Sequence, residues 1–162
     1  MEYERNHEVE KLIESYCKNY GIAAFSLRYF NVLGCSDPKL SDNSVENLVP
    51  KVFKTLDLGE RPVIYGDDYN TEDGTCVRDY VHVEDIAQAH ILALDRRVSS
   101  GVYNLGNNQG TSVMDIVGKC NEIAGQIPVV AFGPRRAGDP DTLTASSEKF
   151  DQVAPGWRTH DL

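Results

Sequence analysis

Two basic clusters carry most of the chemistry that this sequence could do. The first is Arg78, inside Thr71-Glu72-Asp73-Gly74-Thr75-Cys76-Val77-Arg78-Asp79-Tyr80-Val81-His82-Val83-Glu84-Asp85. From Cys76 to Val83 apolar residues alternate with Arg78, Tyr80 and His82, which predicts a strand with one buried face. The second is Pro134-Arg135-Arg136-Ala137-Gly138-Asp139-Pro140, a turn stiffened by two prolines. A guanidinium is a planar fork of donors that matches phosphate or carboxylate, so both clusters are candidates for holding an anion. The ordinary alternatives are a surface pair of Arg78 with Asp79 or Glu84, and a solvated turn around Arg135. Exposed pairs of that kind contribute little to stability. From spacing alone the two readings of Arg78 stand level.

Other groups point away from chemistry. Asp67, Asp68, Glu72 and Asp73 crowd the loop from Gly66 to Gly74. They lack the Asp-x-Asp-x-Asp-Gly spacing, with glutamate at the twelfth position, of a calcium loop. Cys17, Cys35, Cys76 and Cys120 contain no Cys-x-x-Cys, and His7, His82, His90 and His160 are scattered. Reduced thiols in a cytoplasmic protein and no metal centre are expected. Gly106-Asn107-Asn108-Gln109-Gly110 falls short of a full Gly-x-Gly-x-x-Gly phosphate loop. The net charge of −9 argues against nucleic acid and anionic membranes as partners. It leaves anionic small molecules open to a locally basic pocket. There is no 18-residue apolar run to span a membrane, and the first residues are too polar for a signal peptide.

The elements that must position these groups follow an α/β order, and 162 residues suffice for one domain with a core. Glu8 to Tyr20 reads as a helix with Val9, Leu12, Ile13 and Tyr16 inward, stopped by Gly21. Ala23 to Val32 reads as one strand buried on both faces. A loop follows from Gly34 to Asn43, then a helix from Val45 to Leu58 with Leu48, Val52, Phe53 and Leu56 on one side. Pro62 to Tyr65 is a short strand. Glu84 to Asp95 is a helix with Ile86, Ala89, His90, Ala93 and Leu94 inward. Gly101 to Leu105 is a strand, and Ser112 with Asp115 caps a helix that runs to about Ala124. A strand from Ile127 to Phe132 and a short helix from Ser146 to Val153 complete the chain.

Five stretches then occur in a telling order: Leu27-Arg28-Tyr29-Phe30-Asn31, Val63-Ile64-Tyr65-Gly66, Asp73 to Val83, Tyr103-Asn104-Leu105-Gly106 and Pro134 to Asp139. Together, from about Val9 to Trp157, they resemble the C-terminal half of the UDP-glucose 4-epimerase family, within the extended short-chain dehydrogenase/reductases. The resemblance implies an α/β fold: an incomplete Rossmann sheet plus a nucleotide-sugar substrate region. Residues 1–32 would be the last Rossmann helix and strand. Residues 33–162 would be the substrate region, with one returning Rossmann strand at about 101–106. It implies UDP-glucose/UDP-galactose interconversion in galactose metabolism, with NAD as cofactor and a UDP-sugar as substrate. Arg78 and Arg136 would grip the diphosphate, and Asp139 would accept from the uridine ribose. Asn31 would contact sugar or phosphate, and Asn47 and Leu48 would cover the diphosphate. Val63 to Tyr65 would line the uracil, and Tyr29 would face the nicotinamide.

The chain departs from that family's pattern at both ends. It contains no Gly-x-x-Gly-x-x-Gly, so this chain alone is expected not to bind NAD. Counting back from Leu12 puts Asn6 at the lysine of the family's Tyr-x-x-x-Lys and Glu2 at its tyrosine. Tyr3 is a displaced candidate about 100° round the helix, with His7 four residues after it. No intact catalytic residue is therefore assigned. The chain stops at Asp161-Leu162, where the family begins a last helix, so a two-sided fragment, inactive alone, is expected. The strand from Ala23 would then be an open edge, inviting self-association or a partner with the missing half. Two other functions compete: a non-catalytic UDP-sugar-binding module, and part of a related dehydratase, decarboxylase or reductase of nucleotide sugars.

Overall fold

In a computed structural model of the chain, residues 2–44, 46–95, 98–127 and 129–160 are described, residues 2–6 by their backbone only. The stretch read as one strand from Ala23 to Val32 is two. Strand β1 (Phe25–Tyr29) runs parallel to β6 (Gly101–Leu105), with Phe25 opposite Gly101 and Tyr29 opposite Leu105. After Phe30, β2 (Asn31–Leu33) runs parallel to β5 (Tyr80–His82), with Asn31 opposite Tyr80. One apolar run thus serves two sheets. Nor is it covered on both faces: β1 is half-buried and Tyr29 is exposed.

The strand expected from Cys76 to Val83 also divides, into β4 (Val77–Arg78) and β5. The break is Asp79, whose side chain is fully buried. Its carboxylate accepts the Asn107 N–H at 2.6 Å and the Ala145 N–H at 3.1 Å, which compensates the buried charge. Its own N–H donates to Leu143 O at 3.1 Å. Strict alternation is lost, because Asp79, Tyr80 and Val81 are buried in succession. Strand β4 is the middle of a small sheet, antiparallel to β7 (Thr111–Ser112) and parallel to β9 (Thr142–Leu143). Strands β3 (Val63–Tyr65) and β8 (Ala131–Gly133) pair in parallel. The predicted strand from Ile127 thus begins later, and Ile127 is exposed.

The helices are α1 (Glu2–Tyr20), α2 (Leu48–Asp57), α3 (Val83–Leu94), α4 (Val113–Ile123) and α5 (Glu148–Val153). Ser112 caps α4 by accepting the Asp115 N–H at 3.0 Å, as its sequence predicts. Helix α1 differs from expectation: Val9, Leu12 and Tyr16 are exposed. It is tied to β1 by Arg28, whose Nε donates to Glu10 Oε1 at 2.6 Å. In α3 the buried stripe is Asp85, Ile86, Ala89 and Ala93, while His90 and Leu94 face out. One core cluster packs Val81, Ile86, Tyr103, Leu105, Phe150 and Trp157; a second packs Val52, Leu56, Ile64, Val117 and Cys120 between α2, β3 and α4.

Residues 159–160 are latched to the start of α3. Asp85 accepts the Thr159 N–H at 3.0 Å and pairs with His160 Nδ1 at 2.8 Å, while His160 Nε2 lies 3.1 Å from Glu84. Hydrogen bonding to Asp85 raises the His160 pKa above its ordinary 6.5. Burial pushes the Asp85 carboxyl up, but bonds from His160 and Thr159 bring it below its ordinary range. A raised histidine stabilises below its unfolded value and loses that contribution as pH climbs through the folded one; a lowered carboxyl loses its contribution in acid. Melting is therefore expected at higher temperature at about pH 6 than at about pH 8.5. Thermal scans of His160→Gln should show a smaller difference; an unchanged difference would refute the latch.

Candidate functional site

A cleft of about 420 Å³ lies beside α2, β3, β4 and the 134–140 turn. Asn31, Asn47, Leu48, Val63, Tyr65, Arg78, Arg136 and Asp139, the residues expected at the substrate, all line it. Tyr29 does not: it ends β1, its ring centroid 6.1 Å from that of His90. Tyr3 falls in α1, and its side chain lies outside the described residues.

The strand arrangement places each group. Asp79 O accepts both the backbone N–H of Asn31 at 3.1 Å and its Nδ2 at 3.2 Å, which sets Asn31 beside β4. The Arg78 side chain is 13% exposed, with Nη1 donating to Val77 O and Pro140 O, both at 2.9 Å. Its Nη2 stands 3.8 Å from Asp139 Oδ1. Arg136 lies over the Tyr65 ring, 4.5 Å from the centroid, a cation–π contact that leaves its fork on the cleft. Asn47 precedes α2 without capping it through its side chain, which donates to Asp42 at 2.6 Å instead. The uncapped N–H groups and positive dipole end of α2 are thus near the cleft.

Sequence reasoning missed Lys51 and Arg61, which also line the cleft. Lys51 was legible in principle, since it stands one helical turn beyond Asn47 and so shares its face. Its Nζ lies 5.8 Å from the Tyr65 ring centroid. Arg78, Arg136, Lys51 and Arg61 face Glu46, Glu60 and Asp139, so the cleft is locally basic in a chain of net charge −9. An aromatic face, three guanidinium groups and a helix N-terminus suit a planar ring joined to phosphate.

A second cavity of about 1110 Å³ adjoins it, sharing Asn31, Asn47, Leu48 and Tyr80. Burial pushes the Tyr80 phenol up to about 12, so it stays protonated at neutral pH and can donate but not act as a base. Elsewhere, His82, Glu84 and His160 offer atoms within 4.8 Å of one another. His82 Nδ1 already accepts the Glu84 N–H at 3.2 Å, and both nitrogens of His160 face carboxylates. The His82 and His160 rings stack, with centroids 4.0 Å apart. The group forms part of the latch between residues 159–160 and α3.

A family model described as "NAD dependent epimerase/dehydratase family" matches residues 4–106. The UDP-glucose 4-epimerase of Halalkalibacterium halodurans is 43% identical over 157 residues, covering 92% of this chain and 46% of that protein. That of Corynebacterium glutamicum is 43% identical over 153 residues, with the same coverage. The solved UDP-glucose 4-epimerase of Bifidobacterium longum, in complex with NAD+ and UDP, superposes with a TM-score of 0.81 at 34% identity, over 96% of this chain and 48% of that one. The chain spans about half the length of the curated relatives it matches. Its α/β fold is that of the matching part of the solved enzymes.

Proposed function

Since the chain belongs to the NAD dependent epimerase/dehydratase family, we propose that its cleft holds the UDP of a UDP-sugar. It would be the substrate-binding part of a UDP-glucose 4-epimerase, serving galactose metabolism in the cytoplasm. The observation that carries this is the convergence of Asn31, Asn47, Leu48, Val63, Tyr65, Arg78, Arg136 and Asp139 on one basic cleft. Arg78 and Arg136 neutralise the diphosphate, Tyr65 and Val63 flank the uracil, and Asp139 accepts from the ribose. Asn31, on the wall shared by both cavities, contacts the sugar end. Residues 1–32 and the returning strand β6 form the Rossmann side of the division; the parallel pairing of β1 with β6 supports it. Calorimetric titration with UDP tests the reading, and no heat of binding would overturn it.

NAD finds little to hold it here. Tyr29, half exposed at the end of β1, is the residue available to a nicotinamide, and the sequence offers no glycine loop for a dinucleotide pyrophosphate. The chain's own part is to bind and orient the nucleotide. The 162-residue chain is accordingly expected not to interconvert UDP-glucose and UDP-galactose when NAD is added. Turnover above the protein-free control would refute that.

The exposed Val9, Leu12 and Tyr16 on α1, beside a β1 that pairs only with β6 among the described strands, support a partner. It is either a chain carrying further sheet or a second copy. Light scattering on a sizing column is expected to show association; a monomer at high concentration would refute it.

A further inference from the structure

Arg135 is not among the residues that line the cleft, yet its guanidinium has four partners beside it. We infer that Arg135 is a positioning residue: it pins the 134–140 turn to the 66–74 loop so that Arg136 faces the ligand. This rests on the proposed UDP site. The two neighbouring arginines have separate environments. Arg136 lies over Tyr65 on the cleft. Arg135 turns to the loop, where Nε donates to the Asp68 carboxylate and Nη2 to the Asp68 carbonyl. Its Nη1 lies 3.7 Å from Asp141 Oδ1, and its Cζ lies 4.0 Å from the Tyr69 ring centroid.

The platform under Arg135 is closely packed and hydrogen-bonded. Tyr69 is buried, and its N–H donates to Gly74 O at 2.9 Å, closing the loop. Gly66 has φ +92°, and a Cβ there would come within 2.4 Å of the Tyr69 ring and 2.8 Å of Arg135 Cγ. Its N–H donates to Gly133 O at 2.9 Å, so the loop starts directly from the β3–β8 rung that leads into the turn. A single exposed ion pair does little. Here a carboxylate, a carbonyl, a second carboxylate and an aromatic face bear on one guanidinium. An arginine in a Gly- and Pro-containing turn otherwise samples many positions, and ordering it on binding costs affinity.

A double-mutant cycle with UDP, read by calorimetric titration, tests this. Arg135→Ala is expected to raise Kd about two- to tenfold, the cost of ordering one mobile side chain. In the Arg136→Ala background the same change should leave Kd unchanged, because nothing remains to be positioned. Arg135→Lys should resemble alanine, since it keeps the charge but loses the fork. Equal losses in both backgrounds would make Arg135 a direct charge on the ligand and overturn the inference. A lower Tm with an unchanged Kd would make it merely structural, with the same result. Absence of UDP binding to the unmodified chain would overturn the functional reading and this inference with it; binding with an additive cycle would overturn the inference alone.

Discussion

Alanine at Arg78 or at Arg136 is expected to raise the Kd for UDP roughly ten- to a hundredfold, about 1.5–3 kcal/mol, the range for hydrogen bonds to charged groups. The two losses should differ in kind. The Arg78 guanidinium is mostly enclosed and satisfies the carbonyls of Val77 and Pro140. Its removal deletes those two hydrogen bonds and loosens the returning turn, so Tm should fall along with affinity. Arg136 is exposed and rests on Tyr65, so its removal should cost affinity while leaving Tm nearly unchanged. Titration and melting of the two variants side by side decide the matter. An unchanged Kd in both would remove the diphosphate from this cleft.

Trp157→Ala should have the largest effect on stability, about 3–5 kcal/mol, out of the 5–15 kcal/mol typical of a whole domain. The indole is 1% exposed and meets the edge of Phe150 at 5.6 Å between centroids, and Phe150 in turn meets Tyr103 at 5.5 Å. Its Nε1 donates to Asp151 Oδ1 at 2.7 Å. Truncation therefore leaves a cavity under α5 and removes one partner of Asp151, which keeps Arg158 Nη2 at 2.7 Å. Urea unfolding should show a lower midpoint with an unchanged slope. Trp157→Phe, which keeps a ring and loses only the donor and some volume, should cost less than alanine. Similar losses for both would mean that the hydrogen bond, not packing, holds this corner.

Features set by neighbours in the chain were legible in the sequence. The cap at Ser112 and the stop at Gly125 follow from local rules, and both arginine clusters announce themselves by residue type. Features set across the fold were not. Nothing around Phe30 punctuates the apolar run, because the change of sheet there is imposed by Asp79, 48 positions beyond Asn31. Asp79 stands in the apolar phase of the strand's alternation, between Val77 and Val81, but the sequence does not say what would pair with it there. Its burial depends on amides at positions 107 and 145 that no local pattern reveals. Helix α1 carries a sound apolar stripe, yet Val9, Leu12 and Tyr16 are exposed. In α3 the sequence offers two overlapping stripes, and packing selects Ile86, Ala89 and Ala93 over His90 and Leu94. Strands β7 and β9, two residues each, are too short to leave a periodic signal.

The hydrogen bonds of Asp79 also bear on when the cleft can exist. They reach 28, 48 and 66 positions along the chain, to Asn107, Asn31 and Ala145. Contacts of such separation form late, because the entropy of closing each loop is met before any contact rewards it. As the chain leaves the ribosome, Asn31, Asn47 and Arg78 are all present before Ala145 is made. Until that amide arrives, the Asp79 carboxylate cannot leave water at tolerable cost. The cleft is therefore expected to assemble late. A chain arrested just before residue 145 would carry all eight of the proposed binding residues without the geometry that relates them.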